Sequence, residues 1–360
     1  MLIVQLLPVD TVGRWLSPGG AAWLASEIGG HSIWLWVVMV SIFAYYMVAT
    51  LLPIDALIGR LYPFLAIALL IMVGGLSLAI LRGQMPLPDF TLANLHPGGL
   101  ASWPIIFITV SCGAVSGFHA TQSPLMARCL KNERSMRPVF YGAMIAEGFI
   151  ALVWASAAQG FYAGPEALSA ALTSGGPGQV VHDICVTTMG KFGGVLALLG
   201  VVVLPITSGD TAFRVGRLIA ADYLGLSQHR VRNRYLIALP MFAMSIGLNF
   251  VNFATVWRYF GWANQTLAAV TLWAGAVFLA RRQSSWWLAV PPAVFMTVVT
   301  TTYILVEKSG FGISYPIGVG IGIALGAASM IIFLVVRPRL EPEGDEAVVR
   351  VAPSEAERNS

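Results

Sequence analysis

The sequence predicts an all-α polytopic membrane protein with about nine transmembrane helices, some of them discontinuous. The composition supports this fold class, because 57% of the 360 residues are apolar and only 11% are charged, whereas soluble domains carry about 25% charged residues. Apolar runs long enough to cross a bilayer core recur along most of the chain. Clusters of polar residues interrupt several of these runs, which predicts helix breaks inside the protein.

Nine apolar segments are bounded by charged residues or by clusters of proline and glycine. They run from Ile33 to Leu52, Leu61 to Leu81, Trp103 to Phe118, Val139 to Tyr162, Gly193 to Thr207, Tyr235 to Asn249, Ala263 to Ala280, Trp286 to Val306 and Pro316 to Val336. The transmembrane domain is therefore predicted to cover residues 33–336. Residues 1–32 are predicted to form an external N-terminal segment, and the charged residues 337–360 a disordered cytoplasmic tail.

The basic residues predict the orientation of the chain. They concentrate in every second loop, after the third, fifth and seventh segments, as Arg128, Lys131, Arg134, Arg137, Arg214, Arg217, Arg230, Arg232, Arg234, Arg281 and Arg282. Because cytoplasmic loops carry such an excess, these loops and the C-terminus are predicted to be cytoplasmic. Residues 164–190 are expected to form an external loop with a short surface helix from Glu166 to Leu172. Residues 212–233 are expected to form an amphipathic helix at the membrane interface.

Several classes of function fit this sequence poorly. The three cysteines have neither zinc-ligand spacing nor enough partners for a disulfide framework, so no metal or cofactor is predicted. The basic loops account for the net charge of +4 without nucleic-acid binding. A membrane-embedded hydrolase built on Ser123, His119 and Asp210 lacks a nucleophile elbow or a paired metal motif. The chain is therefore predicted not to be an enzyme, and a sensor or scaffold without flux is the alternative to a transporter.

A first polar cluster follows the third apolar segment. Gly113, Gly117 and Pro124 bracket it, so the sequence predicts a helix break. Irregular backbone persists at membrane depth only inside protein or beside a water-filled cavity, where helix ends and hydroxyls bind substrates or ions. The candidate ligands are His119, Thr121, Gln122 and Ser123. The alternative is that the segment ends near Phe118 and the cluster is an ordinary cytoplasmic loop.

A second break is predicted after the fifth segment, in LPITSGDTAFR, where Pro205 and Gly209 interrupt the helix. Thr207, Ser208 and Asp210 supply oxygen atoms there. An acid beside hydroxyl groups can bind sodium or carry a proton. The alternative is that Ser208 or Asp210 caps the helix that follows.

Glu147 stands about nine residues inside an apolar segment, where an unpaired carboxylate costs at least about 2.5 kcal/mol. Burial disfavours its ionised form, so Glu147 is predicted to titrate near neutral pH and to couple transport to protons. The alternative is a structural hydrogen bond between helices, with Gln159 as one possible partner.

A third polar segment, NFVNFATVWRYFGWANQTLA, places Arg258, Asn264 and Gln265 among aromatic residues. Arg258 is a suitable bidentate partner for a substrate carboxylate. An interfacial loop with an aromatic belt and one snorkelling arginine is the alternative interpretation.

Four segments carry a resemblance to a known family. They are GFHATQSPLMARCLKNE, VFYGAMIAEGFIALVWA, LPITSGDTAFR and WRYFGWANQTLA, in this order. Together they resemble the signature segments of the carbon starvation protein A family, bacterial inner-membrane carriers of peptides and pyruvate, over roughly Trp34 to Val336. The resemblance implies a proton-coupled uptake carrier, induced when preferred carbon is scarce, with a fold similar to the inverted-repeat amino acid and sodium symporters.

The resemblance also implies the partners, which are a peptide or pyruvate, a proton or sodium ion, and membrane lipid. It implies a multi-pass inner-membrane location and leaves the oligomeric state open. Family members usually carry several additional N-terminal spans with a glycine-rich, glutamine-containing segment, and this chain begins where those would end. The odd number of apolar segments and the external start therefore predict a truncated chain, for which an inactive fragment is the alternative to a carrier.

Overall fold

The structure is a computed structural model that describes residues 26–28, 31–49, 54–89, 91, 93–110, 113, 115–200, 204–228, 230–251 and 253–340. These residues are helical apart from turns, loops and a short antiparallel ladder between β1 (Glu27–Ile28) and β2 (His31–Ser32). The predicted external segment and disordered tail lie largely outside the described residues, so both stay predictions.

The described helices follow most of the predicted apolar segments. They are α1 (Ile33–Ala49), α2 (Ile54–Leu81), α3 (Ser102–Thr109), α4 (Phe118–Cys129), α5 (Ala143–Phe161), α6 (Pro165–Leu198), α7 (Leu204–Tyr223), α8 (Val231–Leu248), α9 (Phe253–Arg281), α10 (Val290–Val306) and α11 (Tyr315–Val336). Five stretches of the described chain are long and apolar enough to cross a membrane, namely Pro63–Leu81, Glu133–Phe161, Ala254–Arg281, Trp286–Val306 and Tyr315–Arg339. The predicted multi-span helical class is confirmed, while the count of nine spans stays a prediction.

The chain divides into two compact units. One lies within Met1–Leu100 and Thr121–Phe253, and the other within Ala101–Ala120 and Ala254–Ser360. In the first unit, α2, α5 and α6 pack around buried side chains that include Leu76, Ala157 and Ile184. A smaller aromatic cluster of Tyr46, Phe213 and Phe242 joins α1, α7 and α8.

Residues 165–190 are helical, so the loop predicted from their composition is wrong, and the short helix predicted from Glu166 to Leu172 lies within a longer one. They form most of α6, which continues through kinks at Gly176 and Gly190, where positive φ angles favour glycine. The buried residues Val180 and Ile184 are one turn apart and pack in the same core as residues of α2 and α5. The large apolar residues of α6 are spread among Ser, Gly and Ala, and only one face of the helix is buried. Its average composition is therefore too polar to indicate a packed helix.

The second predicted helix break, at Pro205 and Gly209, is also wrong, since both residues lie inside α7. Pro205 is the second residue of this helix, where a missing backbone N–H leaves no hydrogen bond unmade. Gly209 serves packing, because a Cβ at this position would overlap the hydroxyl group of Tyr46 on α1. Within the predicted fifth segment, α6 ends at Leu198 and α7 begins at Leu204.

In the second unit, α10 and α11 pack closely along a stripe of small residues. Gly318, Gly322 and Gly326 recur every fourth residue of α11 and are buried. A Cβ added at each would overlap side-chain atoms of α10, namely those of Val306, Thr302 and Val298. This small-residue spacing lets two apolar helices approach closely in lipid, where the hydrophobic effect does not drive their association.

We expect Gly322→Leu to lower stability by about 1–3 kcal/mol, because the added side chain has no space beside the buried Thr302. The measurement is the melting temperature (Tm) of the purified chain in detergent. Gly320→Leu is the matched control, since Gly320 is exposed on the same helix and has no atom within 4 Å of its added Cβ. Equal losses for both variants would contradict the packing role of the stripe.

Candidate functional site

The first predicted helix break is present between α3 and α4. α3 ends at Thr109 and α4 begins at Phe118, while Val115 and Ser116 are not helical. The predicted polar cluster lies in the first two turns of α4 as His119, Thr121, Gln122 and Ser123, all half-buried. The cluster is therefore helical rather than a loop. Pro124, which we expected to bound the break, lies inside α4.

Asn264 of α9 fixes the start of α4. Its Oδ1 accepts a hydrogen bond from the backbone N–H of Phe118 at 3.0 Å and another from the hydroxyl group of Ser116 at 3.3 Å. The first N–H groups of a helix have no intrahelical acceptor, so Asn264 caps α4 from a neighbouring helix. Asn264 has 0% exposure, and a hydrogen bond shielded from water is electrostatically stronger.

Gln265, the next residue of α9, fixes the end of α3. Its Nε2 donates to the carbonyl oxygen of Phe107, in the last turn of α3, at 2.6 Å. Gln265 is 1% exposed, and within the described chain its Oε1 accepts no hydrogen bond. Neighbouring residues of one helix therefore bind both sides of the break.

Most of the third polar segment, including Arg258, is helical, so the alternative of an interfacial loop around Arg258 is wrong. α9 runs from Phe253 to Arg281 without interruption, so Asn264 and Gln265 stabilise the first break rather than lining a break of their own. Two polar motifs, joined by hydrogen bonds between residues 148 and 146 apart in the chain, thus form one site. The sequence identified both motifs but not their convergence, because single-sequence patterns carry no information on which helices pack together.

Arg258 binds a carboxylate of the protein itself. Its Nη1 lies 3.1 Å from Oε1 of Glu307, with side-chain exposures of 48% and 12%. The neighbouring Tyr259 donates a hydrogen bond to the carbonyl oxygen of Ser309. Together these contacts fasten the first turns of α9 to the loop between α10 and α11. Sequence reasoning missed Glu307, since a single acid after an apolar segment has no distinguishing pattern.

Asp210 lies in a buried ion pair within α7. It is 4% exposed, and its Oδ2 is 3.3 Å from Nη2 of Arg214. The same nitrogen donates to the carbonyl oxygen of Ala49, the last residue of α1, at 3.0 Å. Arg214 therefore neutralises Asp210 and also the partial negative charge at the end of α1.

The alternative role of Ser208 or Asp210 as a helix cap is wrong, because α7 begins before either residue, at Leu204. Thr207 belongs to the same helix, and Ser208 is exposed. The described partner of the Asp210 carboxylate is the guanidinium group of Arg214.

A second buried arginine, Arg217, follows Arg214 on the inner face of α7. Burial lowers the pKa of Arg217, and the guanidinium groups of Arg214 and Arg234 lower it further, while Asp210 raises it. The sequence assigned these arginines to a basic loop with an amphipathic helix over residues 212–233; residues 212–223 are helical as part of α7, but the two arginines are buried. The spacing of Asp210, Arg214 and Arg217, four and then three residues apart, was the signal that places all three on one helix face.

Glu147 is half-buried on α5. It is seven residues before Trp154 and fourteen before Phe161, and both aromatic side chains pack against the core formed with α2 and α6. Residues seven apart share a helix face. Helix spacing therefore places Glu147 on the same face of α5 as Trp154 and Phe161, while its role in proton coupling stays a prediction.

Polar contacts on α6 were missed along with the helix. The Nε2 of Gln179 donates to Oδ1 of Asp183 at 2.6 Å, and Nδ1 of His182 is 3.5 Å from the same oxygen. Burial raises the pKa of Tyr162, and the charge of Asp183 raises it further. These groups add titratable side chains to the unit that contains Glu147.

Comparisons with known proteins agree with the motifs. The model of the family described as carbon starvation protein CstA matches residues 2–170 and 166–303. The chain is 27% identical over 338 residues to the peptide transporter CstA of Escherichia coli, covering 72% of this chain and 48% of that protein. It is 34% identical over 120 residues to the pyruvate/proton symporter BtsT of Escherichia coli, covering 31% and 17%.

An uncharacterized membrane protein of Haemophilus influenzae is 43% identical over 177 residues, which cover 41% of this chain and 47% of that protein. The chain thus spans about half the length of this relative and of the Escherichia coli peptide transporter. No solved structure matches it significantly.

Proposed function

Since this chain belongs to the carbon starvation protein CstA family, we propose that it acts in secondary active import of peptides or pyruvate across the bacterial inner membrane. We propose that import is coupled to protons and serves the response to carbon starvation. Relatives named as a peptide transporter and as a pyruvate/proton symporter support this function. The observation that carries it is the helix break between α3 and α4, bound on both sides by Asn264 and Gln265.

The break presents two helix ends of opposite partial charge. The carbonyl groups at the end of α3 carry partial negative charge, and the N–H groups at the start of α4 carry partial positive charge. Discontinuous helices of this kind bind substrate carboxylates and coupling ions in transporters. The start of α4 suits a carboxylate, which peptides and pyruvate share. His119, Thr121 and Ser123 supply further polar groups in the first turns of that helix.

Arg258 is less suited to bind the substrate than its sequence context suggested. Its guanidinium group is paired with Glu307, so a substrate carboxylate would have to displace an acid of the protein. We propose instead that the Arg258–Glu307 pair fixes the position of α9, which keeps Asn264 and Gln265 at the break.

Glu147 is the proposed proton carrier. It lies within a candidate membrane span and on the packed face of its helix, where loss of charge on protonation favours movement between helices. Asp210 is the second candidate, but its charge is already balanced by Arg214. Protonation of Asp210 would leave a buried guanidinium group without its counter-ion, which favours a fixed charge at this position.

The test reconstitutes the 360-residue chain in proteoliposomes and measures uptake of labelled dipeptide and labelled pyruvate under an inward proton gradient. We expect Glu147→Gln to reduce gradient-driven accumulation at least about tenfold, because an amide cannot bind and release the coupled proton. Exchange of labelled for unlabelled substrate should persist, because it moves no net proton. Glu166→Gln, at an exposed position of α6, is the matched control.

Accumulation that survives both Glu147→Gln and an uncoupler would contradict proton coupling through Glu147. Absence of uptake and of exchange for both substrates, in a correctly folded preparation, would contradict import by this chain.

A further inference from the structure

We propose that the second unit binds an anionic phospholipid, with an acyl chain along α9 and the phosphate group at the end of that helix. The inference goes beyond the proposed function, because it assigns a lipid site and does not require transport. It starts from a groove of about 490 Å³ on one face of α9. The lining residues are Val270, Trp273, Ala274, Val277, Phe278 and Arg281.

The groove has the length and the lining of an acyl-chain site. Its residues recur every three or four positions from Val270 to Arg281, so they share one helix face. These positions rise about 16 Å along the helix axis, which is close to half of a bilayer core about 30 Å thick. The groove therefore covers about one leaflet. Ala274 contributes only a methyl group among larger neighbours, which leaves room for a chain of methylene groups.

Two arginines mark one end of the groove. Arg281 lines it directly, and the guanidinium group of Arg282 lies over the ring of Phe278 at 5.3 Å. Both arginines are exposed, and neither takes part in an ion pair among the described residues. Guanidinium groups present several N–H donors in a geometry that matches phosphate oxygens. This end of the groove therefore suits a phosphate group.

Two more arginines, Arg337 and Arg339, lie at the same end of the second unit. The end of α9 and the end of α11 pack in one cluster that includes Ala280 and Phe333. The guanidinium group of Arg337 lies over the ring of Trp286, at the start of α10, at 4.3 Å. Four cationic side chains are thus gathered at one end of the three helices.

The charge balance of this unit favours an added anion at that end. Among the described residues of the second unit the only acid is Glu307, which pairs with Arg258. Glu307 follows α10, whose 17 residues place it about 25 Å from the start of that helix. Helix dipoles favour one cation in the last turn of a helix, but they do not account for a groove that leads to the arginines.

An anionic phospholipid satisfies both features of the site. A soluble phosphate would leave the apolar groove unused, and an apolar helix of another protein would leave the arginines without a counter-ion. The basic loops predict this end to be cytoplasmic, where each basic residue near the membrane surface strengthens binding to anionic lipid about fivefold. Trp287, which is exposed at the same end, is a residue type enriched at the level of the headgroups.

The test measures lipid binding to the purified 360-residue chain in detergent, without substrate. Radiolabelled phosphatidylglycerol and phosphatidylcholine with identical acyl chains are compared in equilibrium binding. We expect phosphatidylglycerol to bind at least about tenfold more tightly, since several arginines contribute. High salt should reduce this preference, because exposed charges are screened.

Two variants separate recognition of the headgroup from recognition of the chain. Arg281→Gln should weaken phosphatidylglycerol binding about fivefold and phosphatidylcholine binding less, because the choline group offsets the phosphate charge. Ala274→Phe should weaken binding of both lipids equally, since it fills the groove and keeps the arginines. The matched controls are Lys308→Gln, at an exposed cation beyond the other end of α10, and Ala324→Phe, at an exposed alanine of α11. Neither control should change binding.

Two results would overturn the inference. Equal affinity for the two lipids would mean that another anion, such as the acidic residues that follow Leu340, neutralises the arginines. Unchanged binding in both Arg281→Gln and Ala274→Phe would mean that the lipid binds elsewhere. Both positions are exposed, so the Tm of each variant without lipid should match that of the unaltered chain. Because no flux is measured, loss of transport alone would leave the lipid site standing.

Discussion

Asp210→Asn is expected to destabilise the first unit by about 3–5 kcal/mol, the usual loss when one partner of a buried ion pair is removed. Asp210 and Arg214 are 4% and 7% exposed, so water cannot replace the lost carboxylate. The guanidinium group would keep its hydrogen bond to the carbonyl oxygen of Ala49, which offers only a partial charge. Since that bond joins α7 to the end of α1, the loss should loosen the contact between these helices.

The measurement is Tm in detergent, together with the yield of folded protein. Asp222→Asn is the matched control, because Asp222 is an exposed acid of the same helix. The double variant Asp210→Leu with Arg214→Met should recover most of the lost stability, since replacing both members of a buried pair with apolar residues is often neutral. A double variant less stable than Asp210→Asn would show that the pair itself, and not the uncompensated charge, holds α7.

The sequence predicted best where a helix is apolar on every side. The segments Trp286 to Val306 and Pro316 to Val336 coincide with α10 and α11 to within a few residues. Here hydrophobicity alone decides the structure, because a long run of apolar residues has no stable alternative to a helix in lipid. Arg258, Glu147 and the polar residues of α9 were also recognised as exceptional, since polar groups within such runs need partners.

Prediction failed where tertiary contacts decide the structure. The polar helix α6 depends on a single buried face that packs with α2 and α5, which local composition does not reveal. Gly209 was expected to break a helix, but this helical position requires glycine because Tyr46 packs against it. Arg214 and Arg217 were expected in an amphipathic helix at the membrane interface, but both are buried, and Arg214 pairs with an acid on the same helix face. In each case the deciding partner is distant in sequence or lies on another helix.

A tertiary contact also decides the geometry of the helix break, namely the contact of Gly117 with α9. Gly117 is buried against α9, and an added Cβ would lie unacceptably close to the carbonyl group of Asn264 and the amide of Ala268. Backbone atoms of a helix cannot move aside as a flexible side chain can. The segment before α4 would therefore have to shift away from α9 by about 1 Å, the movement that restores ordinary van der Waals contact.

We expect Gly117→Ala to break both hydrogen bonds that Oδ1 of Asn264 accepts, because the bonds to Phe118 and Ser116 are already 3.0 and 3.3 Å long. Overpacking costs about 1–3 kcal/mol, and each lost hydrogen bond about 0.5–1.5 kcal/mol. Substrate exchange should be lost, since the proposed substrate site depends on the geometry of the break. Measurements of Tm and of substrate exchange on one preparation test this.

Gly275→Ala is the matched control for this substitution. Gly275 lies on α9, the helix against which Gly117 packs, and has no atom within 4 Å of an added Cβ. Alanine is also the better helix former by about 1 kcal/mol. The control should therefore retain exchange and melt at the same temperature or higher. If Gly117→Ala retained normal exchange, the break would tolerate displacement from Asn264, and substrate recognition could not depend on the ends of α3 and α4.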